Sequence, residues 1–364
     1  MLGITSALIC LVLNQSQSTP KSWGLDLIHS MQKNFYLRSL SLYTERNIWG
    51  PNSKQVAYTW GVGVMLSALN GSVRADDRNA RWLRDYVQAT RVYWNDKGPV
   101  PGYDVSPGPK SVDRYYDDNA WMVLALVEAS DILHDKKIFG YAEDTLKYVL
   151  SGEDSNLGGG IYWREAEKTS KNTCSNGPSA AACLAVYEKT KEPRLLQKAI
   201  QIYDWTKQNL QDPSDFLYWD AMTMNGKIGK DKWSYNTALM LRTAAELFRY
   251  THEARYAKEA TDLFTASWNH WIDPKTFAFK DEGKFAHLLF EALTIYRKDL
   301  ETTSPSDSQL QSIVEHLHGL RDPASGLYPS RWDAAKPSKG PKWELIDQAS
   351  AARAYFIFAS INRK

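Results

Sequence analysis

The chain has 364 residues, 43% hydrophobic and 24% charged, an ordinary globular composition long enough for one large domain or two small ones. A formal net charge of +2 gives no electrostatic case for nucleic acid or an acidic membrane surface as partner. The unusual numbers are 14 Trp and 20 Tyr, many of them in Gly-rich stretches between helical patterns, where a core role is less natural.

The N-terminal stretch MLGITSALICLVLNQSQSTP is apolar from Leu2 to Leu13, then small and polar. It resembles a signal peptide over residues 1–19, though without the basic start; a frayed N-terminus is the alternative. A signal peptide would carry the protein out of the cell or to its surface and remove Cys10. Cys174 and Cys183 would remain, to pair or simply to pack. No later apolar run approaches the length of a membrane span. Residues 20–364 read as a single domain.

Along that domain two kinds of segment alternate. Residues 23–43, 76–94, 136–150 and 193–210 are amphipathic. So are the stripes Ala257, Ala260, Phe264, Trp268, Trp271 and Leu310, Ile313, Val314, Leu317 at helical spacing. Between them, residues 58–69, 116–130, 177–190, 234–250, 284–296 and 345–360 are apolar on most faces and rich in Ala, Gly or Ser near their starts. Helices of the first kind bury one face, and those of the second are buried on several sides. Six of each pack most simply as an inner ring inside an outer ring, an (α/α)6 barrel. An open superhelical array of helical hairpins is the competing layout.

The connections are asymmetric. Inner-to-outer links are short, as in KTKEP and THEAR, whereas outer-to-inner links are long, as in KGPVPGYDVSPGPKSVDR and QDPSDFLYWDAMTMNGKIGKDKW. All the long loops are therefore expected on the face where the inner helices begin. They carry Trp163, Trp219, Trp233, Trp332 and Trp343 with Gly-aromatic punctuation that suggests short hairpins. Aromatic rings there suit the C–H faces of sugars, while Asn, Asp and backbone groups meet the hydroxyls.

YYDDNAW, residues 115–121, opens the second inner helix on that face. Asp117 and Asp118 can be a helix cap and a dipole partner. They can also be the two carboxyl groups that glycosidic cleavage needs. Adjacent residues on a first turn place carboxyl carbons about 5 to 6 Å apart, near the ~5 to 5.5 Å of retaining enzymes. Mutual repulsion would then raise the pKa of one. Other candidates sit on the same face: Asn176 as cap or hydroxyl ligand, Tyr235 and Asn236 as sugar contacts, and Trp60 and Tyr116 as stacking or packing residues. Trp163 and Trp219 are expected to be exposed in their loops. Asn119 and Phe285, near the starts of the second and fifth inner helices, complete the binding set. The seven histidines show no metal-ligand spacing, so neither a metal nor a cofactor is expected.

The ordered set YYDDNAW, LGGGIYWRE, NTCSNGPSA, LYWDAMT, WSYNTALM and FKDEGKFAHLLFEAL resembles glycoside hydrolase family 76, from about Trp60 to the final helix. That family comprises endo-acting α-1,6-mannanases of bacteria and related fungal cell-wall mannan transglycosidases. The resemblance implies an (α/α)6 barrel and a retaining mechanism on α-1,6-linked mannan. It implies Asp117 as nucleophile, Asp118 as acid/base and Asp220 as a ligand for sugar hydroxyls. The chain departs from the family pattern at Thr237 and Ala238, where Gln-Gly is common. It departs again at Lys284, Phe285, Ala286 and His287, where a Lys-Gly-aromatic segment followed by Arg is common. Both departures bear on subsite contacts rather than on the aspartate pair. The expected partner is α-mannan or a manno-oligosaccharide, with the protein acting as a monomer. Two other classes compete: a non-catalytic glycan-binding barrel, and a terpenoid-cyclase-like barrel whose paired Asp residues hold Mg2+.

Overall fold

The computed structural model describes residues 18–47, 55–108, 112–333 and 343–361. Residues 1–17, which hold most of the expected signal peptide, lie outside the described residues. Among these, twelve α-helices follow in order. They are α1 (Pro20–Asn34), α2 (Thr59–Ala75), α3 (Ala80–Ala89), α4 (Tyr116–Leu133), α5 (Lys136–Leu150), α6 (Thr173–Thr190), α7 (Pro193–Leu210), α8 (Ser234–Thr251), α9 (Ala254–Trp271), α10 (Gly283–Asp299), α11 (Asp307–Gly319) and α12 (Leu345–Ile361).

The even-numbered helices pack each on the next, and α12 packs on α2, so the ring closes. The odd-numbered helices lie outside it, α5 against α4 and α6, α7 against α6 and α8, α1 against α12 and α2. The (α/α)6 barrel is therefore the architecture. Composition explains the layering. Inner α6 and α12 bury nearly every residue of their first four turns, so no polar face is needed, whereas α7 buries one stripe made of Leu195, Ala199, Ile202, Tyr203, Thr206 and Leu210. At the closing seam the Phe356 ring lies where a Cβ on Gly24 of α1 or Gly71 of α2 would stand, at 2.7 and 2.8 Å. Two mid-helix glycines, each costing about 1 kcal/mol against Ala, thus let an aromatic ring lock three helices together.

Three expected segments have different bounds. The first outer helix stops at Asn34 rather than at residue 43, because Tyr36–Leu37 and Leu42–Tyr43 pair as a hairpin. The stretch 76–94 is α3 flanked by 3-10 turns at Asp77–Asn79 and Thr90–Tyr93. The third inner helix starts at Thr173, four residues earlier than read, and contains Pro178. A proline near the start loses a hydrogen bond and strains one turn, but the buried surroundings override that preference.

The inner helix starts are capped in an unusual way. In α2, α4, α6, α8 and α10 the cap residue makes no side-chain cap bond, and it is Tyr58, Tyr115, Asn172, Trp233 or Glu282. Instead the first amide of each inner helix donates to the next long loop round the ring. Thr59 N–H goes to Val105 O, Tyr116 to Trp163 O, Thr173 to Asp220 O, Gly283 to Ser330 O and Leu345 to Glu45 O, while Ser234 goes to the Asp281 carboxylate. This cyclic chain satisfies orphan helix donors and ties the six loops into one rim.

A second device recurs one turn in, at the fourth helix residue. Asn119 accepts from Tyr103 N–H and donates to Tyr103 O; Asn176 does so with Ile161, and Gln348 with Tyr328. Each amide also donates to the carbonyl four residues back, and in α8 Thr237 accepts from Tyr218 N–H in the same register. The expected hairpins are present too. Trp94–Asn95 pairs with Gly102–Tyr103, and Ser170–Asn172, Ala221–Thr223 and Ile228–Gly229 form a three-stranded sheet shared by two loops.

Candidate active site

The cleft lies at the N-terminal ends of the inner helices. Their second residues are Trp60, Asp117, Cys174, Tyr235, Lys284 and Ile346, and their third are Gly61, Asp118, Ser175, Asn236, Phe285 and Asp347. Asp117 and Asp118 thus sit within the first turn of α4, and Tyr115 takes the cap position that the sequence left open to an aspartate. Both residues are half-buried.

The two carboxyls are in unlike surroundings. Asp117 Oδ2 accepts from the Trp163 indole N–H at 3.2 Å, and Oδ1 is buried without a hydrogen-bond partner. Burial pushes the Asp117 carboxyl up to about 6, against the Asp118 backbone amide, the Cys174 thiol and the Trp163 indole, which favour its charged form. Asp118 has no such donors. Burial and then the charges of Asp117, Asp113 and Glu45 drive it well above the ordinary carboxylate range. The pair therefore divides naturally into one group that ionises first and one that holds its proton longer.

Trp163 is held there by its loop. Asn176 fixes Ile161, two residues upstream, and Gly160 at φ +79 lets the Trp205 ring pack where a Cβ would stand, 2.6 Å away. The Tyr115 ring packs edge-on against Trp163 at 5.1 Å.

An aromatic cluster forms another part of the site. Phe285 stacks on Tyr235 at 4.5 Å and on Trp60 at 5.7 Å, with Trp233 at 5.5 Å. Asp220 is brought to the same wall, 3.5 Å from Asn236 Nδ2, and burial raises its pKa. The fold thus gathers Trp60, Asp117, Asp118, Trp163, Asp220, Tyr235, Asn236 and Phe285.

Four expected binding residues are placed otherwise. Asn119 and Asn176 are fully buried with their amides spent on loop backbone, so they position loops. Tyr116 is buried and stacks on Tyr148 at 5.0 Å, between α4 and α5. Trp219 turns to the outer layer, donating to Asp212 and lining a surface depression with Asp204 and Gln208 of α7. The two neighbours thus meet different surroundings, Trp219 at Asp212 and α7 and Asp220 at Asn236 of α8.

The sequence reading missed several groups. Cys174 packs beside Asp117, and neither it nor Cys183 forms a disulfide. Glu45 and Asp347 make an acidic wall with Lys284 opposite, and Asp347 is pushed up to about 7 by burial, then by Glu344. Reading the second and third positions of all six inner helices in register would have found Cys174, Lys284 and Asp347. Glu45 lies in a loop and carries no such signal.

Buried polar atoms without partners gather at these helix starts: Trp60 Nε1, Asp117 Oδ1, Ser175 Oγ, Ser234 Oγ, Asn236 Oδ1 and Asp347 Oδ1. Native interiors rarely leave such atoms unpaired, and a ligand rich in hydroxyls would satisfy both donors and acceptors. Among the described residues, no three His, Cys, Asp or Glu side chains are placed to hold a metal ion, and no helix is long and apolar enough to cross a membrane.

The chain superposes on a GH76 α-mannanase of Bacteroides thetaiotaomicron with a TM-score of 0.89 at 28% identity, over 96% of this chain and 97% of that one. It also matches an inactive variant of an α-1,6-mannanase of Salegentibacter sp. HEL1_6, in complex with α-1,6-mannotetrose, at TM-score 0.81 and 20% identity, over 95% and 100% of the two chains. A mannan endo-1,6-alpha-mannosidase of Candida glabrata is 29% identical over 177 residues, which cover 42% of this chain and 39% of the relative. The chain spans about half the length, or less, of the fungal relatives it matches, at 46%, 39% and 51%. The sequence profile of glycosyl hydrolase family 76 matches residues 26–319, and the chain belongs to that family.

Proposed function

We propose that the protein is a retaining glycosidase that cuts α-1,6-linked mannan internally, with Asp117 as nucleophile and Asp118 as acid/base. The observation that carries this reading is the unequal pair on the first turn of α4, one carboxyl with donors and one without. Ionised Asp117 attacks the anomeric carbon while Asp118 protonates the departing oxygen; Asp118 then takes a proton from the incoming water, which releases the sugar. Trp60, Tyr235 and Phe285 supply ring faces for mannose units, and Asp220 and Asn236 meet hydroxyls. The Salegentibacter α-1,6-mannanase supports the role of the pair, since its inactive variant carries replacements at two neighbouring aspartates. A site for polymeric mannan also accords with a secreted or cell-surface protein.

The test is the product profile on unbranched α-1,6-mannan, with the anomers followed by NMR. Internal cleavage should give manno-oligosaccharides that appear first as α-anomers, and Asp117→Ala should abolish their release while the fold is kept. Initial β-anomers would overturn retention, and binding without any change in chain length would favour a glycan-binding barrel. Adding a manno-oligosaccharide acceptor separates hydrolysis from transfer, because only transfer lengthens the acceptor.

A further inference from the structure

Outside the cleft, two adjoining depressions of about 650 and 490 Å³ share Asp204 and Gln208, and so form one groove along the outer face of α7. From Gln201 to Gln211 its helix side runs for about 15 Å, at 1.5 Å per residue. Trp205 and the three glycines 158–160 line one end, Pro213 and the half-buried Trp219 the other. The Trp219 indole is fixed by its N–H, which donates to Asp212 at 3.1 Å. Gln211 donates to Phe216 O at 3.0 Å, so a further aromatic side chain, 46% exposed, adjoins that end.

The charges along the groove are already matched. Asp154 pairs with Lys171 at 2.8 Å, Glu153 with Lys198 at 2.7 Å, Asp204 with Arg255 at 3.2 Å, and Lys207 with Glu259. An ionic partner would have to break those pairs. What remains to meet a ligand is indole surface and the exposed amides of Gln201 and Gln208, each able to donate and to accept. That is the complement of a neutral chain of sugars, whose C–H faces lie on rings while its hydroxyls meet amides.

We propose that this groove is a second glycan-binding site, separate from the cleft, which holds another stretch of the mannan chain on which the cleft acts. The neutral, hydroxyl-rich character of the ligand follows from the groove; the identity of the polymer rests on the function proposed above. Trp219 and Asp220 are consecutive, one in the groove and one at the cleft wall, so a single loop serves both. A polymer held in the groove raises the local concentration of chain at the cleft without touching the aspartate pair.

The test is affinity electrophoresis through gels containing unbranched α-1,6-mannan, with Asp117→Asn present in every protein so that the polymer is not consumed. Trp219→Ala and Gln208→Ala should each weaken retention about three- to tenfold, the worth of one ring or amide contact, and Trp219→Phe should recover part of the loss. With Asp117 intact, both changes should slow action on the polymer and leave kcat/KM on α-1,6-mannotetraose unchanged. Gln208 is an exposed helix position that accepts Ala readily, so it answers should Trp219→Ala fail to fold. Undiminished retention in both variants would overturn the proposal, as would a parent protein that the mannan gel does not retard. Equal losses on tetraose and polymer would also overturn it, by assigning both residues to the cleft. Trp219-dependent retention without any mannan product would sink the mannanase reading and leave this site standing, and mannan products with retention indifferent to both changes would do the reverse.

Discussion

At Asp117 the conflict between fold and chemistry can be measured. A carboxyl pushed up to about 6 by burial binds its proton more tightly folded than unfolded, where ~3.9 is usual. Folded stability therefore falls as pH rises from about 4 through 6, and the full cost stands above that. Asp118 is raised as well and adds to the same cost. Asp117→Asn and Asp118→Asn should each stabilise the protein at pH 7, by something on the order of 1 to 3 kcal/mol after allowing for their partial exposure. The gain should vanish near pH 4, as thermal melts at the two pH values would record. Both variants should lose turnover. The same pair predicts a bell-shaped kcat/KM, falling below about pH 6 as Asp117 is protonated and falling on the alkaline side as Asp118 ionises. A profile flat through pH 5 to 7 would contradict that assignment.

Elements, rather than single residues, set where the long loops lie. The fourth-position amides of α4, α6 and α12 each hold one loop residue through both its N–H and C=O. Asn176→Ala would leave both polar groups of buried Ile161 unpaired, at a cost of about 2 to 4 kcal/mol. Chemical denaturation would measure that loss. Because Ile161 fixes the turn that presents Trp163 to Asp117, kcat should fall further than stability alone requires. An unchanged kcat in the folded variant would separate the loop anchor from the aspartate pair. The elements were legible as helices because apolar periodicity is local. The start of α6 was not, because Asn172, Cys174, Ser175, Asn176, Gly177 and Pro178 read as loop chemistry. Packing on α4 and α8 overrides that preference.

At the scale of the whole molecule, closure depends on α12. Arg353 donates to Glu128 of α4, Glu291 of α10 and Ser67 O of α2, so one guanidinium spans four inner helices below the cleft. Glu291 is held down to about 2 despite its burial, the Arg353 charge being the main counterweight. Arg353→Met would leave Glu128 to Arg74 and Asn70 and Glu291 to Arg242 at 3.7 Å, a loss of roughly 2 to 3 kcal/mol. Equilibrium unfolding should report that loss. A residual fold should also bind mannan more weakly, since α12 supplies Asp347 to the cleft wall.

The sequence by itself determined the number and kind of helices, because the count of polar faces decides whether a helix can stand inside or outside a ring. It also pointed to the face where the inner helices start as the candidate site, because the outer-to-inner links are long and aromatic. The closed ring, the order in which each loop caps its neighbour and the sorting of candidates were decided only in three dimensions. Asn119 and Asn176 read like Asn236 in the sequence, yet two anchor loops and one keeps an unpartnered oxygen at the cleft. Trp219 and Asp220 are neighbours, yet meet different surroundings. The physical reason is the same in each case: type and periodicity are properties of a segment, whereas what a side chain meets is fixed by the helix packed beside it.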